Sequence, residues 1–462
     1  MNGSPDPSDF WAKLHPDWPD VEEWHPLAAH SAEVAAVTEA LLERTILGER
    51  MAALVGWDKL SPVHVQRLCV LAALHDAGKV NHGFQNRGHD APGPRKGHVG
   101  PMVEVLGSEQ SAKWLQKFGA VSMLEWFESE DHFFHFLLAT FGHHGRPVQP
   151  AHGFSSKLWE ENDRRTPAEE MERLAAFVRQ WFPEAFGEEA DAFPPDPPFQ
   201  HAFNGILTLA DWIGSDRRFF AFAEENGEPM PAARRGAVEA VEALFLDPAA
   251  ARAGLGDVPV GFDGVLEEAS WTPHDIQQET LDLPLHADGS LTVLESDTGS
   301  GKTEAALARF ARLYRRGQVD GMYFAVPTRS AATQLHERVR ETAARLFPED
   351  ARPPVVQAVP GYIKADDAEA TALPDFEVRW DEGDTAMRYR GWAAEHPKRF
   401  LAGPIVVGTV DQALLSALQA SHAHLRAAAL LRHFLVVDEV HASDVYMTAL
   451  MDRVLDQHLS AG

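Results

Sequence analysis

Apolar positions return at helical spacing in three stretches of the first 220 residues: 63–74, 133–141 and 203–213. Loops bearing Gly and Pro separate them, and Pro194-Pro195-Asp196-Pro197-Pro198 makes a sharp break before the third. A further helix is expected over 232–245, followed by a Gly-, Pro- and Asp-rich stretch that reads as a linker. From about Trp271 the pattern changes. Short β-branched runs at 291–294, 322–326, 404–407 and 434–437 alternate with helical stretches such as 304–315 and 330–346. That alternation predicts a parallel sheet flanked by helices, because parallel strands need a crossover between them. The expected fold is multidomain: an all-α domain over 1–248, a linker over 249–265 and an α/β domain with a parallel sheet over 266–462.

At 462 residues the chain exceeds one ordinary core, and an apolar content of 45% is ample for burial. The single cysteine, Cys69, lies in an apolar run and reads as a small core residue, which excludes an intrachain disulfide. No window approaches the roughly 18 uninterrupted apolar residues of a membrane helix. The first residues lack the basic and apolar segments of a secretion signal. Together these predict a soluble cytoplasmic protein with no membrane partner. The net charge of −28 is spread along the chain, with 19 basic against 32 acidic residues up to position 220 and 22 against 37 afterwards. No dense Lys/Arg stripe awaits a phosphate backbone, so a nucleic-acid substrate needs a local groove or delivery by a partner.

Ser296-Asp297-Thr298-Gly299-Ser300-Gly301-Lys302-Thr303 follows an expected strand and opens an expected helix. This is the context of a phosphate-binding loop, with Ser296 where the strict pattern has Gly. Around Gly299, Ser300 and Gly301 backbone N–H groups converge on phosphates. Lys302 reaches the β- and γ-phosphates, and the Thr303 hydroxyl sits on Mg²⁺. Downstream, the apolar run 434–437 delivers Asp438-Glu439-Val440-His441. Asp438 is expected to hold Mg²⁺ and Glu439 to orient the attacking water on ATP.

Histidine placement in the first half carries separate chemistry. His75-Asp76 ends one apolar helix and His143-His144 another; Asp211 lies on an apolar face, and His30 starts a helix. Side chains at the ends of separate buried helices can converge on one interior point. Neighbours on a helix diverge by about 100°, so His75 can face one metal while Asp76 bridges to a second. Mixed imidazole and carboxylate ligation suits Fe, Mn, Co, Ni or Zn better than Mg²⁺. Two such ions about 3.5–4 Å apart activate water against a phosphodiester.

The order His … His-Asp … His-His … Asp resembles the HD phosphohydrolase superfamily. That resemblance implies one metal on His30, His75, Asp76 and Asp211, and another on Asp76, His143, His144 and an intervening histidine. His98 is the choice for the latter, with His82 and His89 as competitors, and Lys79 is implied to contact the scissile phosphate. Asp438-Glu439-Val440-His441 resembles the superfamily 2 helicases. By that likeness Gln277 reads adenine, while Pro327-Thr328-Arg329 and Gly408-Thr409-Val410-Asp411-Gln412 contact a nucleic-acid strand. An HD domain followed by such a RecA-like motor resembles the signature helicase–nuclease of type I CRISPR interference systems. The stretches at 75–85, 210–215, 404–414 and 438–447 carry that likeness.

The resemblance implies a nuclease that nicks and degrades single-stranded DNA, driven by ATP and recruited by an RNA-guided surveillance complex. No second RecA-like lobe or arginine-finger motif follows 438–441. The expectation is a chain that cuts DNA but neither turns over ATP efficiently nor unwinds duplex, with a separate chain as one source of the missing lobe. Three readings compete: a nucleotidase with an ATP-sensing domain, a non-catalytic interaction module, and an RNA helicase.

Overall fold

The computed structural model describes residues 3–146, 148, 153–222, 227–256, 261–266, 271–286, 289–297, 299–372, 378–380 and 385–462. Contacts divide the chain into two units: Met1–Ala40 with Leu60–Ala240, and Leu41–Lys59 with Val241–Gly462.

The first unit is mostly helical, and its helices begin where the sequence supplies caps. Ser61 accepts from the His64 N–H while His64 Nδ1 takes the Ser61 N–H, and Pro62 occupies the first turn of the helix Pro62–Ala73. Such reciprocal capping satisfies N–H groups that the helix itself leaves unpaired. Ser129 and Asp196 cap Glu130–Phe141 and Pro197–Gly214 with single bonds, their side chains accepting from the His132 and Phe199 N–H groups. Leu68, Cys69, Phe133, Phe136, Phe203 and Ile206 are fully buried, and Cys69 forms no disulfide. One element departs from an all-helical domain. The antiparallel hairpin of β1 (Trp11–His15) and β2 (Glu23–Pro26) sets Lys13 opposite His25. Neither strand alternates buried with exposed positions, so neither imprints the strand period on the sequence.

The second unit holds a sheet of β3 (Gly321–Val326), β4 (Val355–Ala358), β5 (Lys364–Ala365), β6 (Ala368–Ala372), β7 (Val378–Trp380), β8 (Ile405–Thr409) and β9 (His433–Val437). Their order is β7-β6-β5-β4-β8-β3-β9. The four strands β4, β8, β3 and β9 run parallel, while β5 to β7 add an antiparallel margin. All six residues of β3 are buried, as expected for a parallel strand covered on both faces. The helices Lys302–Arg315 and Arg329–Leu346 lie before and after it in the chain, close to the expected 304–315 and 330–346.

Two expectations are corrected. Residues 249–265 are not a free linker: Ala251, Leu255, Phe262 and Val265 are buried in the core of the second unit, and Ala249–Gly254 is helical. The stretch is Gly- and Pro-rich, yet its apolar residues are spaced to pack, which composition alone conceals. The run 291–294 forms no strand; Leu291 is 57% and Val293 79% exposed. A strand exists only with a ladder partner, and among the described residues β9 pairs only with β3.

The boundary expected at 248 also differs from the packing, which gives Leu41–Lys59 to the second unit. There the Ile46 N–H donates to buried Asp320, which also accepts from Arg252 at 2.6 Å. Among the described residues no helix is long and apolar enough to cross a membrane.

Candidate metal centre and nucleotide site

Helix ends build the centre of the first unit. His75 and His143 each stand two residues beyond their helix, and each donates its Nδ1–H to a carbonyl three residues back. His75 bonds Ala72 O at 2.8 Å and His143 bonds Thr140 O at 3.0 Å. The last carbonyls of a helix lack intrahelical donors. The same bonds fix the imidazole tautomer and leave a lone pair on Nε2. His30 Nε2, His75 Nε2 and His143 Nε2 are all buried with no hydrogen-bond partner.

Asp76 lies between them. Its Oδ2 is 3.3 Å from both His30 Nε2 and His75 Nε2, and its Oδ1 is 3.0 Å from His98 Nε2 and 3.7 Å from His143 Nε2. Asp211 Oδ1 lies 3.4 Å from His30 Nε2 and 3.7 Å from His75 Nε2. His144 Nε2 is 2.9 Å from His98 Nε2. The donor atoms therefore form two groups that share Asp76: His30 and His75 with Asp76, and His98, His143 and His144 with Asp76.

Buried imidazole nitrogens without partners are costly unless something accepts their lone pairs. Turned toward a shared carboxylate, they fit metal ligation by nitrogen and oxygen. The competitors of His98 are engaged elsewhere or outside both groups: His82 Nε2 contacts the Glu160 carbonyl at 2.7 Å, and His89 joins neither. His98 reaches the centre because residue 78 is glycine. A Cβ there would run into the His98 carbonyl and touch Met102.

Electrostatics are strongly polarised. Burial favours neutral carboxyls, yet Lys79, His75 and His98 outweigh it at Asp76 and hold it well below the ordinary carboxylate range. Asp211 is likewise held low, by His30 and His75 against burial. Burial would lower His75, but Asp76 and Asp211 raise it to about 9. Burial, aided by His75, pushes His143 down to about 3.

Lys79 does not stand open toward a substrate. Its ammonium is 2.5 Å from Asp76 Oδ2 and donates to the Ala12 carbonyl at 3.1 Å. Three nearby residues escaped the sequence reading: Lys13, whose ammonium burial pulls down to about 8, and the buried pair His25 and Glu33. Glu33 stands one helical turn after His30, a spacing visible in the sequence.

In the second unit a cavity of about 620 Å³ is lined by Gln277, Gly299, Gly301, Lys302, Thr303, Asp438 and Glu439 among others. It lies at the carboxyl end of β9, where parallel sheets place ligands. Gly299 and Gly301 have φ of +83° and +82°, a region that residues with a Cβ seldom adopt. Thr298 lies outside the described residues, and the Ser300 hydroxyl is buried. Lys302 Nζ is folded back, donating to the carbonyls of Ser296 at 2.8 Å and Asp297 at 3.1 Å. Gln277 donates to the Gly301 carbonyl and accepts from the His274 N–H. Glu439 sits at φ +55°, 3.2 Å from His441. Thr328 caps the helix Arg329–Leu346, and Thr409 ends β8.

Comparison with known proteins matches each region. A family model described as Cas3, HD domain, covers residues 11–220, and one described as AAA domain covers 279–461. The CRISPR-associated endonuclease/helicase Cas3 of Escherichia coli (strain K12) is 27% identical over 488 residues, spanning 98% of this chain and 53% of that protein. The crystal structure of T. fusca Cas3 superposes with a TM-score of 0.70 at 22% identity, over 99% of this chain and 49% of that one. A chain in a CRISPR RNA-guided surveillance complex, pre-nicking, matches with a TM-score of 0.58 at 21% identity, over 98% and 46%. The chain thus spans about half the length of the curated relatives it matches. Residues 11–220 are thus similar to the Cas3 HD domain and residues 279–461 to an AAA domain, and in that order the chain resembles the CRISPR-associated endonuclease/helicase Cas3 proteins.

Proposed function

We propose that the first unit cleaves single-stranded DNA at a two-cation centre. His30, His75, Asp76 and Asp211 hold one cation, and Asp76, His98, His143 and His144 hold the other. The observation that carries this reading is the set of buried, unpartnered Nε2 atoms of His30, His75 and His143 around the divided carboxylate of Asp76. Cations held there supply Lewis acidity to a phosphodiester oxygen and lower the pKa of an attacking water. The nitrogen-rich set favours Fe, Mn, Co or Ni over Mg²⁺.

The chain's own residues do the rest. Backbone carbonyls at Ala72 and Thr140 hold His75 and His143 in the ligating tautomer. Lys79 keeps Asp76 ionised and offers the positive charge beside which a scissile phosphate settles.

The second unit binds ATP with Mg²⁺ through Gly299, Ser300, Gly301, Lys302, Thr303, Asp438 and Glu439, with Gln277 as the adenine contact. Turnover by residues 1–462 alone is slow. Among the described residues lining the cavity the one arginine is Arg338, and its guanidinium is paired with Glu304. A trans-acting arginine is worth ~10³–10⁵ in rate for related NTPases. An RNA-guided surveillance complex delivers the DNA, which suits a chain of net charge −28.

The test is nicking of circular single-stranded DNA with Mn²⁺, Co²⁺, Ni²⁺ or Mg²⁺, comparing wild type with His75→Ala and Asp76→Ala. Metal-dependent nicking should fall by at least ~10³-fold in both variants. Equal nicking by wild type and variants, or preferred hydrolysis of mononucleotides, overturns the reading.

A further inference from the structure

Two of the buried imidazoles, His75 and His143, donate their Nδ1–H to a backbone carbonyl, but His30 does not. It lies in the first turn of the helix Leu27–Arg44, and its Nδ1 is buried without a hydrogen bond. The acidic group that faces this nitrogen is Glu33, one turn on, with Oε2 at 3.7 Å. Glu33 is itself buried, and both of its oxygens lie 2.9 Å from His25 Nε2. His25 comes from β2, opposite Lys13, and its ring stacks on Phe222 with centroids 5.1 Å apart. A carboxylate buried for packing alone is unfavourable, and one imidazole leaves acceptor capacity on it unused.

We propose that Glu33, braced by His25, is the positioning residue for His30: it accepts the Nδ1 proton and keeps the Nε2 lone pair aimed at Asp76 and Asp211. The inference rests on the metal-ligand role proposed for His30 and adds the residue that orients it. The 3.7 Å gap exceeds hydrogen-bond length by about half an ångström, a distance that a shift of either side chain would cover. The hairpin thereby takes part in the centre through His25, without contributing a ligand. Outer partners of this kind change metal affinity by about 10–100-fold when removed.

The experiment is calorimetric titration of the metal-stripped full chain with Co²⁺, with the visible absorption of the bound ion recorded alongside, for wild type, Glu33→Ala, Glu33→Gln and His25→Asn. Wild type should take two ions. Glu33→Ala should weaken one of the two about 10–100-fold and shift its absorption. Glu33→Gln, whose amide oxygen still accepts from Nδ1, should recover part of the loss. Should Glu33→Ala fail to fold by thermal melting, His25→Asn carries the test, with a smaller weakening of the same ion. Two ions bound with unchanged affinity and spectrum in the folded variants would overturn the inference alone. A wild type that takes up no Co²⁺ overturns the metal reading and this inference together.

Discussion

In the first unit, nitrogens of three buried histidines face one carboxylate; hydrogen bonds on the far side of the ring orient His75 and His143, and Glu33 lies 3.7 Å from the far side of His30. In the second, Lys302 rests on the carbonyls of its own loop, and the neighbouring Asp297 and Gly299 are exposed. The difference is one of freedom. Ligands rooted at buried helix ends cannot relax into water, so the centre stays assembled and its unpaired nitrogens persist. A half-buried lysine satisfies itself and must exchange loop carbonyls for phosphate oxygens. Preorganisation of this kind lowers the cost of binding in the first unit and leaves it to the ligand in the second.

The strongest challenge to this contrast is Gly78→Ala. Displacing the His98 carbonyl should move one ligand and cost the second ion about 10–100-fold in affinity. Metal analysis should then find one tightly held ion, against the two proposed for wild type. Two tightly held ions would show that the centre adapts, and the contrast with the loop would fail.

Lys302→Ala should reduce ATP affinity about tenfold or more, since a charged hydrogen bond is worth roughly 1.5–3 kcal/mol. It should change stability by less than about 1 kcal/mol, because the bonds it loses in the free protein are partly exposed. A large drop in melting temperature would mean that the loop is as tightly built as the metal centre.

A smaller effect separates the two regions by pH. In metal-stripped protein His75 titrates near 9, above its ordinary 6.5, because Asp76 and Asp211 outweigh burial. Its protonated form therefore contributes stability in full below about 6.5, and this is lost as pH rises through about 9. His143, lowered to about 3, acts oppositely: its contribution is present above about 6.5 and fades as pH falls toward 3. Melting curves from pH 6.5 to 9 should fall without metal and flatten once cations replace the His75 proton. A fall that persists with metal bound would remove His75 from the ligand set.

Much of the architecture was legible because burial leaves a period in the chain. The helices ending before His75 and His143 and the strands β3, β8 and β9 lie within a few residues of their expected places. The misreadings share one cause. The run 291–294 has strand composition but no ladder partner among the described residues, and 249–265 has loop composition but a packed apolar set. Composition reports what a segment tolerates, and pairing or burial depends on what lies beside it.

His75-Asp76, His143-His144 and the phosphate loop stand out by adjacency, so residue identity alone was enough to propose their chemistry. For the intervening histidine the sequence favours His98, with His82 and His89 as competitors, and only folding shows which of them lies near Asp76. His98 groups with Asp76, His143 and His144, and its backbone packs on Gly78, a contact between segments twenty residues apart. Glu33 and His25 likewise acquire meaning only when a helix and a hairpin meet, because a hydrogen bond depends on distance and direction, and neither is written in the order of residues.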